Sequence, residues 1–217
     1  MSQLVQVMAT LVVLSALGMA ANLRVQSMLN ALAIQSTLVA GVLGALGWRA
    51  HSRTIVAAAV VVLLLKSLAI PGALRSALRH SRAAGRATEP TLSLPTSVII
   101  CALLTVLGYA AGRPIAAAAS LGTRDVFPAG LTLALVGTFL MIVRGTAMSQ
   151  VVGLMVLGNG ILLSAAASTP AAAFLPQLGL AFELLTLTVV IGMQLFRIER
   201  AFDQLERARL PRPDEEA

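Results

Sequence analysis

Two ionisable side chains lie inside long apolar stretches of this sequence. Lys66 falls within residues 55–74 and Glu183 within residues 178–196. A charged group at bilayer depth is costly, and such groups commonly mark ion or proton pathways. A desolvated lysine can exchange its proton, and the protonation of a buried carboxyl depends on whether a cation lies nearby. We therefore expect Lys66 and Glu183 to take part in ion translocation. A purely structural role for each stays open, with Lys66 bonded to distorted backbone or a neighbouring subunit's acid and Glu183 neutralised or near the outer headgroups.

Other polar or helix-distorting residues support these two. Pro71 lacks the amide hydrogen that would bond the Ser67 carbonyl, so we expect a distorted turn and freed carbonyls beside Lys66. Uncharged polar side chains in apolar stretches can form hydrogen bonds between helices. Gln35, Asn159 and Gln177 are the supporting candidates. The same set contains Asn22, Asn30, Ser36, Gln150 and Gln194.

The composition excludes an ordinary soluble protein. Of 217 residues, 58% are hydrophobic and 12% are charged, against about 25% charged in a globular domain. Two distant histidines, His51 and His80, and the single Cys101 make no zinc or haem set. We therefore expect no catalytic residue, metal or cofactor in this chain.

The spacing of charges predicts an all-α, polytopic integral membrane protein of about seven transmembrane helices. Pro170 and Pro176 divide the last long uncharged stretch in two. The fourth predicted helix is short, and the alanine-rich residues 114–121 after it either lie along the surface or dip partway into the membrane. The start lacks the basic region of a cleaved signal peptide, so we expect the first helix to be retained. The predicted helices span residues 4–21, 27–46, 55–74, 96–111, 127–143, 149–167 and 178–196.

Arginine placement predicts the orientation, because cytoplasmic loops retain positive charge. With seven helices, eleven arginines fall on the side of the C-terminus and four on the other. We therefore predict the N-terminus outside and the C-terminus in the cytoplasm, in the inner (plasma) membrane. The eleven are Arg24, Arg75, Arg79, Arg82, Arg86, Arg144, Arg197, Arg200, Arg207, Arg209 and Arg212; the four are Arg49, Arg53, Arg113 and Arg124.

Within one membrane domain, the sequence separates into five parts. A first three-helix unit occupies residues 1–78, and a basic cytoplasmic loop occupies 79–95. The fourth helix and a connector follow at 96–125, then a second three-helix unit at 126–198. A cytoplasmic tail covers 199–217.

Four segments carry a resemblance to a known family. They read Ala-Ile-Gln-Ser at 33–36, Lys-Ser-Leu-Ala-Ile-Pro at 66–71, Val-Gly through Asn-Gly at 152–160, and Gln-Leu-Gly-Leu-Ala-Phe-Glu at 177–183. Together they resemble the E membrane component of hydrogenase-4, which belongs to the complex I-like group 4 hydrogenases and formate hydrogenlyases. The last three helices are also similar to the complex I K subunit and the C subunit of Mrp-type antiporters.

The resemblance implies a membrane subunit that contributes to proton or sodium translocation coupled to redox chemistry elsewhere. NiFe and iron-sulfur centres would lie in soluble partner subunits, and larger antiporter-like and quinone-site-like membrane subunits would be neighbours. Glu183 matches the family's second membrane carboxylate. Gly158 and Gln177 stand where the hydrogenase-4 family has acids, and Met155 aligns with a glutamate of the complex I subunit. A non-conducting helical scaffold and a small subunit of an Mrp-type sodium/proton antiporter are therefore the alternatives.

Overall fold

A computed structural model describes residues 2–80, 92–118 and 125–167, and these residues are all-α. Within them, six helices are long and apolar enough to cross a membrane. The described part of the chain is therefore all-α, and the protein is embedded in a membrane. The helices are α1 Ser2–Ala20, α2 Val25–Arg49, α3 Arg53–Val61, a π-helical segment Val62–Ala69, α4 Ile70–His80, α5 Leu94–Ala118, α6 Val126–Val143 and α7 Ala147–Ala167.

The third membrane-crossing helix is composite. The end of α3, the π-helical segment and the start of α4 follow one another without a break, and Arg53–Arg75 qualifies as one candidate span. The predicted seventh helix, residues 178–196, lies outside the described residues.

The expectation of a short fourth helix was wrong. The helix α5 has 25 residues and continues through Pro114 to Ala118. Proline removes one backbone donor, but membrane helices tolerate this when neighbouring groups satisfy the freed carbonyl. The alanines that follow favour helix strongly. The first part of the alanine-rich stretch therefore extends the helix.

Four helices form the centre of the described structure. The helix α1 packs on α2 and α6, α2 packs on α7, and α6 packs on α7, which closes a ring. Outside this ring, α3 and the π-helical segment pack on α2, while α5 packs mainly on α6. Large side chains such as Met19, Leu32, Leu133 and Met155 fill the centre and are fully buried.

The closest approach in the ring is a glycine seam between α6 and α7. A Cβ atom added at Gly137 would overlap the backbone of Leu157, and one added at Gly160 would overlap the backbone of Ala134. Small residues allow membrane helices to pack backbone to backbone, where dispersion replaces the hydrophobic effect as the driving force. The seam therefore fixes the position of α7 against α6.

Polar contacts at both ends of α6 hold α1 beside it. Asp125, just before α6, accepts a 2.6 Å hydrogen bond from Gln6 Nε2. Arg144, just after α6, donates from Nη2 to the carbonyls of Met19 at 3.1 Å and Ala20 at 3.0 Å. A cation at a helix C-terminus complements the helix dipole. Burial lowers the pKa of the Arg144 guanidinium, yet arginine stays charged in proteins. The two helices therefore run side by side in the same direction.

Gly137→Ala should destabilise the protein by about 1–3 kcal/mol, because the new methyl group meets backbone that cannot move aside. The matched control is Gly18→Ala, where an added Cβ has no neighbour within 4 Å. The measurement is the unfolding midpoint in detergent. Equal midpoints for the two variants would contradict the seam.

Arg144→Met should cost about 1.5–3 kcal/mol, the usual worth of hydrogen bonds to a charged group. Arg24→Met, at the exposed start of α2, removes a charge whose side chain makes no capping hydrogen bond, and should change stability by less than about 0.5 kcal/mol. The measurement is the free energy of unfolding of both variants under the same conditions. A similar loss in both would show that charge alone, and not the contact with α1, is responsible.

Candidate functional site

Lys66 lies in the π-helical segment, five residues before Pro71. At the end of this segment the Ile70 amide bonds the Leu65 carbonyl, five residues back instead of four. Pro71 cannot supply the next amide, so the sequence removes one bond of the α-helical ladder at this point. The distortion expected before Pro71 is thus a wider helical turn. Short π-helical stretches are frequent at functional sites.

The Lys66 side chain is fully buried, at 0% exposure. Its Nζ atom donates a 3.1 Å hydrogen bond to Oδ1 of Asn159 on α7. In this contact the acceptor is a side chain of another helix and not a carbonyl freed by Pro71. The structure therefore brings together two of the residues singled out in the sequence, although they are far apart along the chain.

Asn159 connects Lys66 to α2. Its Nδ2 group donates to Ser36 Oγ at 3.2 Å and to Gln35 Oε1 at 3.4 Å. Gln35 Nε2 in turn donates to the Val12 carbonyl of α1 at 3.2 Å. Asn159, Ser36 and Gln35 are, like Lys66, fully buried. We call Lys66, Asn159, Gln35, Ser36 and the Val12 carbonyl the polar network. It links all the elements of the ring except α6 to the π-helical segment.

A pair of hydroxyl groups lies beside this network. Ser67 Oγ and Thr37 Oγ1 are 2.5 Å apart. Both hydroxyls also lie within hydrogen-bonding distance of the Ala33 carbonyl, at 3.2 and 2.9 Å. Ser67 is buried, whereas Thr37 is exposed on the outer surface of α2. The pair therefore ties the π-helical segment to the middle of α2, next to Lys66.

Sequence reasoning missed three participants: Ser67, Thr37 and the Val12 carbonyl. Ser67 directly follows Lys66, and Thr37 directly follows the Gln35-Ser36 pair. Their positions next to predicted site residues could therefore have indicated them. Nothing in the sequence could have indicated the Val12 carbonyl, because every residue carries a carbonyl.

Two predicted site residues, Glu183 and Gln177, lie outside the described residues. Within the described ranges the only acid is Asp125, at the start of α6, where Arg113 lies 3.9 Å away. Met155, one turn before Asn159, is fully buried, and Gly158 is also buried. The Lys66 contact within the described polar network is thus with a neutral amide, that of Asn159.

The chemistry available to this network is narrow. The described residues contain no cluster of three or more His, Cys, Asp or Glu side chains that could hold a metal ion. Among its groups, only the Lys66 amine is ionisable, while amides and hydroxyls only donate and accept hydrogen bonds. The site can therefore hold an ammonium group at depth and exchange its proton.

The chain is similar to a protein of Mycobacterium tuberculosis, the uncharacterized protein Rv0085. The two are 29% identical over 185 residues, and the aligned region covers 85% of this chain and 84% of the relative. No family model matches the chain. No solved structure matches it either.

Asn159→Leu should cost about 1.5–3 kcal/mol, because it removes the acceptor from a charged donor and leaves Gln35 and Ser36 without that partner. Asn22→Leu is the matched control, since Asn22 bonds only locally, to the Gly18 carbonyl at 3.0 Å. Chemical unfolding of both variants in detergent measures the difference. If Asn159→Leu were as stable as Asn22→Leu, the network would contribute nothing to the fold.

Proposed function

We propose that this chain is a membrane subunit of a complex I-like energy-converting complex, of the group 4 hydrogenase or formate hydrogenlyase type. In this role it contributes to proton or sodium translocation through Lys66. The observation that carries the proposal is the fully buried Lys66 in a π-helical turn of a membrane-crossing helix. The family resemblance of the four segments around Lys66, Asn159 and Glu183 supports it.

The depth of Lys66 argues against a lysine that merely reaches the membrane surface. Lys66 lies nine residues before Arg75, about 13 Å along the helix axis. Its Nζ atom bonds Asn159 in the interior and does not extend to the edge. An ammonium group at this depth carries a cost of several kcal/mol unless it is compensated. A proton pathway gives a reason to keep it.

The mechanism follows from the groups present. Protonated Lys66, held by Asn159, transfers a proton to an acid on a neighbouring subunit when that neighbour's charge changes. Glu183 accepts or releases a proton nearer the outer face. The redox chemistry, with NiFe and iron-sulfur centres, belongs to partner subunits. The arginine distribution supports a topology with the N-terminus outside and the C-terminus in the cytoplasm, in the inner membrane.

A scaffold that conducts no ions is the second candidate, and Met155 favours it. In α7, Met155 and Gly158 occupy positions at which the resemblance implies acids. This chain therefore keeps the helical framework without those carboxylates. In a scaffold, Lys66 and Asn159 would hold the π-helical segment against α7 and nothing more.

Purification through a C-terminal tag in mild detergent, with mass spectrometry of the bound proteins, tests the assignment to a complex. We expect a metal-bearing large subunit together with antiporter-like membrane subunits. Antiporter-like subunits without a redox partner would indicate an Mrp-type antiporter instead. A chain recovered alone would contradict the subunit role.

Lys66→Met should abolish proton translocation by the assembled complex, and Lys66→Arg should fail as well because a guanidinium does not release its proton. The measurement is acidification of inverted vesicles, with partner recovery as the check on assembly. Leu64→Met, at a half-exposed position of the same π-helical segment (54% exposed), should translocate at the wild-type rate. Full coupling in both Lys66 variants would remove Lys66 from the pathway and leave the scaffold.

A further inference from the structure

The hydrogen bonds of the polar network all point the same way. Lys66 donates to Asn159, Asn159 donates to Gln35, and Gln35 donates to the Val12 carbonyl. We infer that Gln35 is a positioning residue, which acts through Asn159 to present an oxygen atom, and not an amide NH₂ group, to Lys66. This inference rests on the proposed function in that it takes Lys66 as the group that exchanges the proton.

The two ends of the chain fix its direction. An ammonium group has three donors and no acceptor, whereas a backbone carbonyl has only acceptor sites. The two amides between them, Asn159 and Gln35, each have a donor end and an acceptor end. Only one orientation of each amide satisfies both ends of the chain.

Turning Asn159 around would place its NH₂ group against the Lys66 ammonium. Its oxygen would then face Gln35, which would have to turn as well and bring its own oxygen against the Val12 carbonyl. Two donors would meet at one end and two acceptors at the other, in fully buried positions where an unsatisfied polar group is expensive.

Ser36 cannot set this direction. Its hydroxyl accepts from Asn159 Nδ2 at 3.2 Å, but a hydroxyl rotates and would donate equally well to a turned amide oxygen. Gln35 differs because the carbonyl of α1 fixes its donor end. The orientation information therefore passes from the backbone of α1 through Gln35 to Asn159.

The direction of these hydrogen bonds also shows what Asn159 and Gln35 do, which is to hold the Lys66 ammonium in place. Neither amide takes up a proton at neutral pH, and the last acceptor is a peptide carbonyl. Asn159 and Gln35 therefore anchor the Lys66 ammonium and do not conduct its proton. Lys66 exchanges its proton with a group other than these amides.

The test uses the fact that Lys66 is the only lysine in the chain. Full-length protein carrying ¹⁵Nζ-labelled lysine, with a lysine-free tag, is reconstituted in lipid nanodiscs. The readout is the rate at which the Lys66 ammonium hydrogens exchange with water at fixed pH. We expect Gln35→Met to raise this rate about tenfold, the scale expected for losing the orientation of one charged hydrogen bond.

Gln35→Glu, compared with wild type at a pH low enough to keep the carboxyl protonated, supplies the rescue, because a neutral carboxyl keeps an oxygen toward Asn159 and a hydroxyl donor toward Val12. It should exchange within twofold of wild type. Gln150→Met, which removes an α7 amide that donates to the Arg144 carbonyl at 3.1 Å, should also stay within twofold. Methionine matches glutamine closely in size, so a role in packing alone predicts wild-type exchange for Gln35→Met.

Wild-type exchange in Gln35→Met, or failure of Gln35→Glu to restore slow exchange, overturns the inference. If Gln35→Met does not insert stably, Gln35→Ser, too short to reach Asn159, takes its place in the same comparison. The measurement needs no partner subunit and no translocation. Loss of the proposed function through the Lys66 variants would therefore leave its result unchanged, and the two failures are distinguishable.

Discussion

The described structure depends on one constraint, which is the accommodation of an ammonium group in the interior of a membrane protein. Lys66 is fully buried and donates to Asn159 at 3.1 Å. A charge in such a place needs well-oriented acceptors, since lipid offers none. The acceptor stands on α7, its orientation is fixed by α2, and α2 is bonded in turn to a carbonyl of α1. The arrangement of four separate elements therefore serves a single side chain.

The packing of the ring explains how those elements are held in register. The glycine seam brings α7 close to α6, and the contacts of Asp125 and Arg144 hold α1 alongside α6. Because α1 and α7 both pack against α6, contacts outside the polar network set their positions relative to each other. The hydrogen bonds of the network then orient side chains as well as stabilising the fold. A displacement of α1 would reach Lys66 through Gln35 and Asn159.

Much of this fold could be predicted from the sequence, and the limits have physical causes. Charge spacing located five of the predicted spans within a few residues of the helices, because the bilayer penalises charge at any position inside it. The extent of α5 was missed because the predicted span ended before the charge of Arg113, whereas the helix continues past Arg113 and Pro114 to Ala118. The sequence identified Lys66, Gln35 and Asn159 as polar groups in apolar stretches. It did not predict that they meet, because Lys66 and Asn159 are 93 residues apart in the chain. No periodicity encodes such a pairing, and the carbonyl of Val12 leaves no mark in the sequence at all.

The contact between Lys66 and Asn159 is the central claim, and it can be measured directly in a lipid bilayer. The chain has one lysine and three asparagines, so labelling lysine with ¹⁵Nζ and asparagine with ¹³Cγ gives a sparse set of pairs for solid-state NMR distance measurement. The account predicts strong dipolar coupling from one asparagine, which disappears in Asn159→Leu and persists in Asn30→Leu. Absence of any short contact in the wild-type protein would show that Lys66 is held elsewhere, and the account of the site would be contradicted.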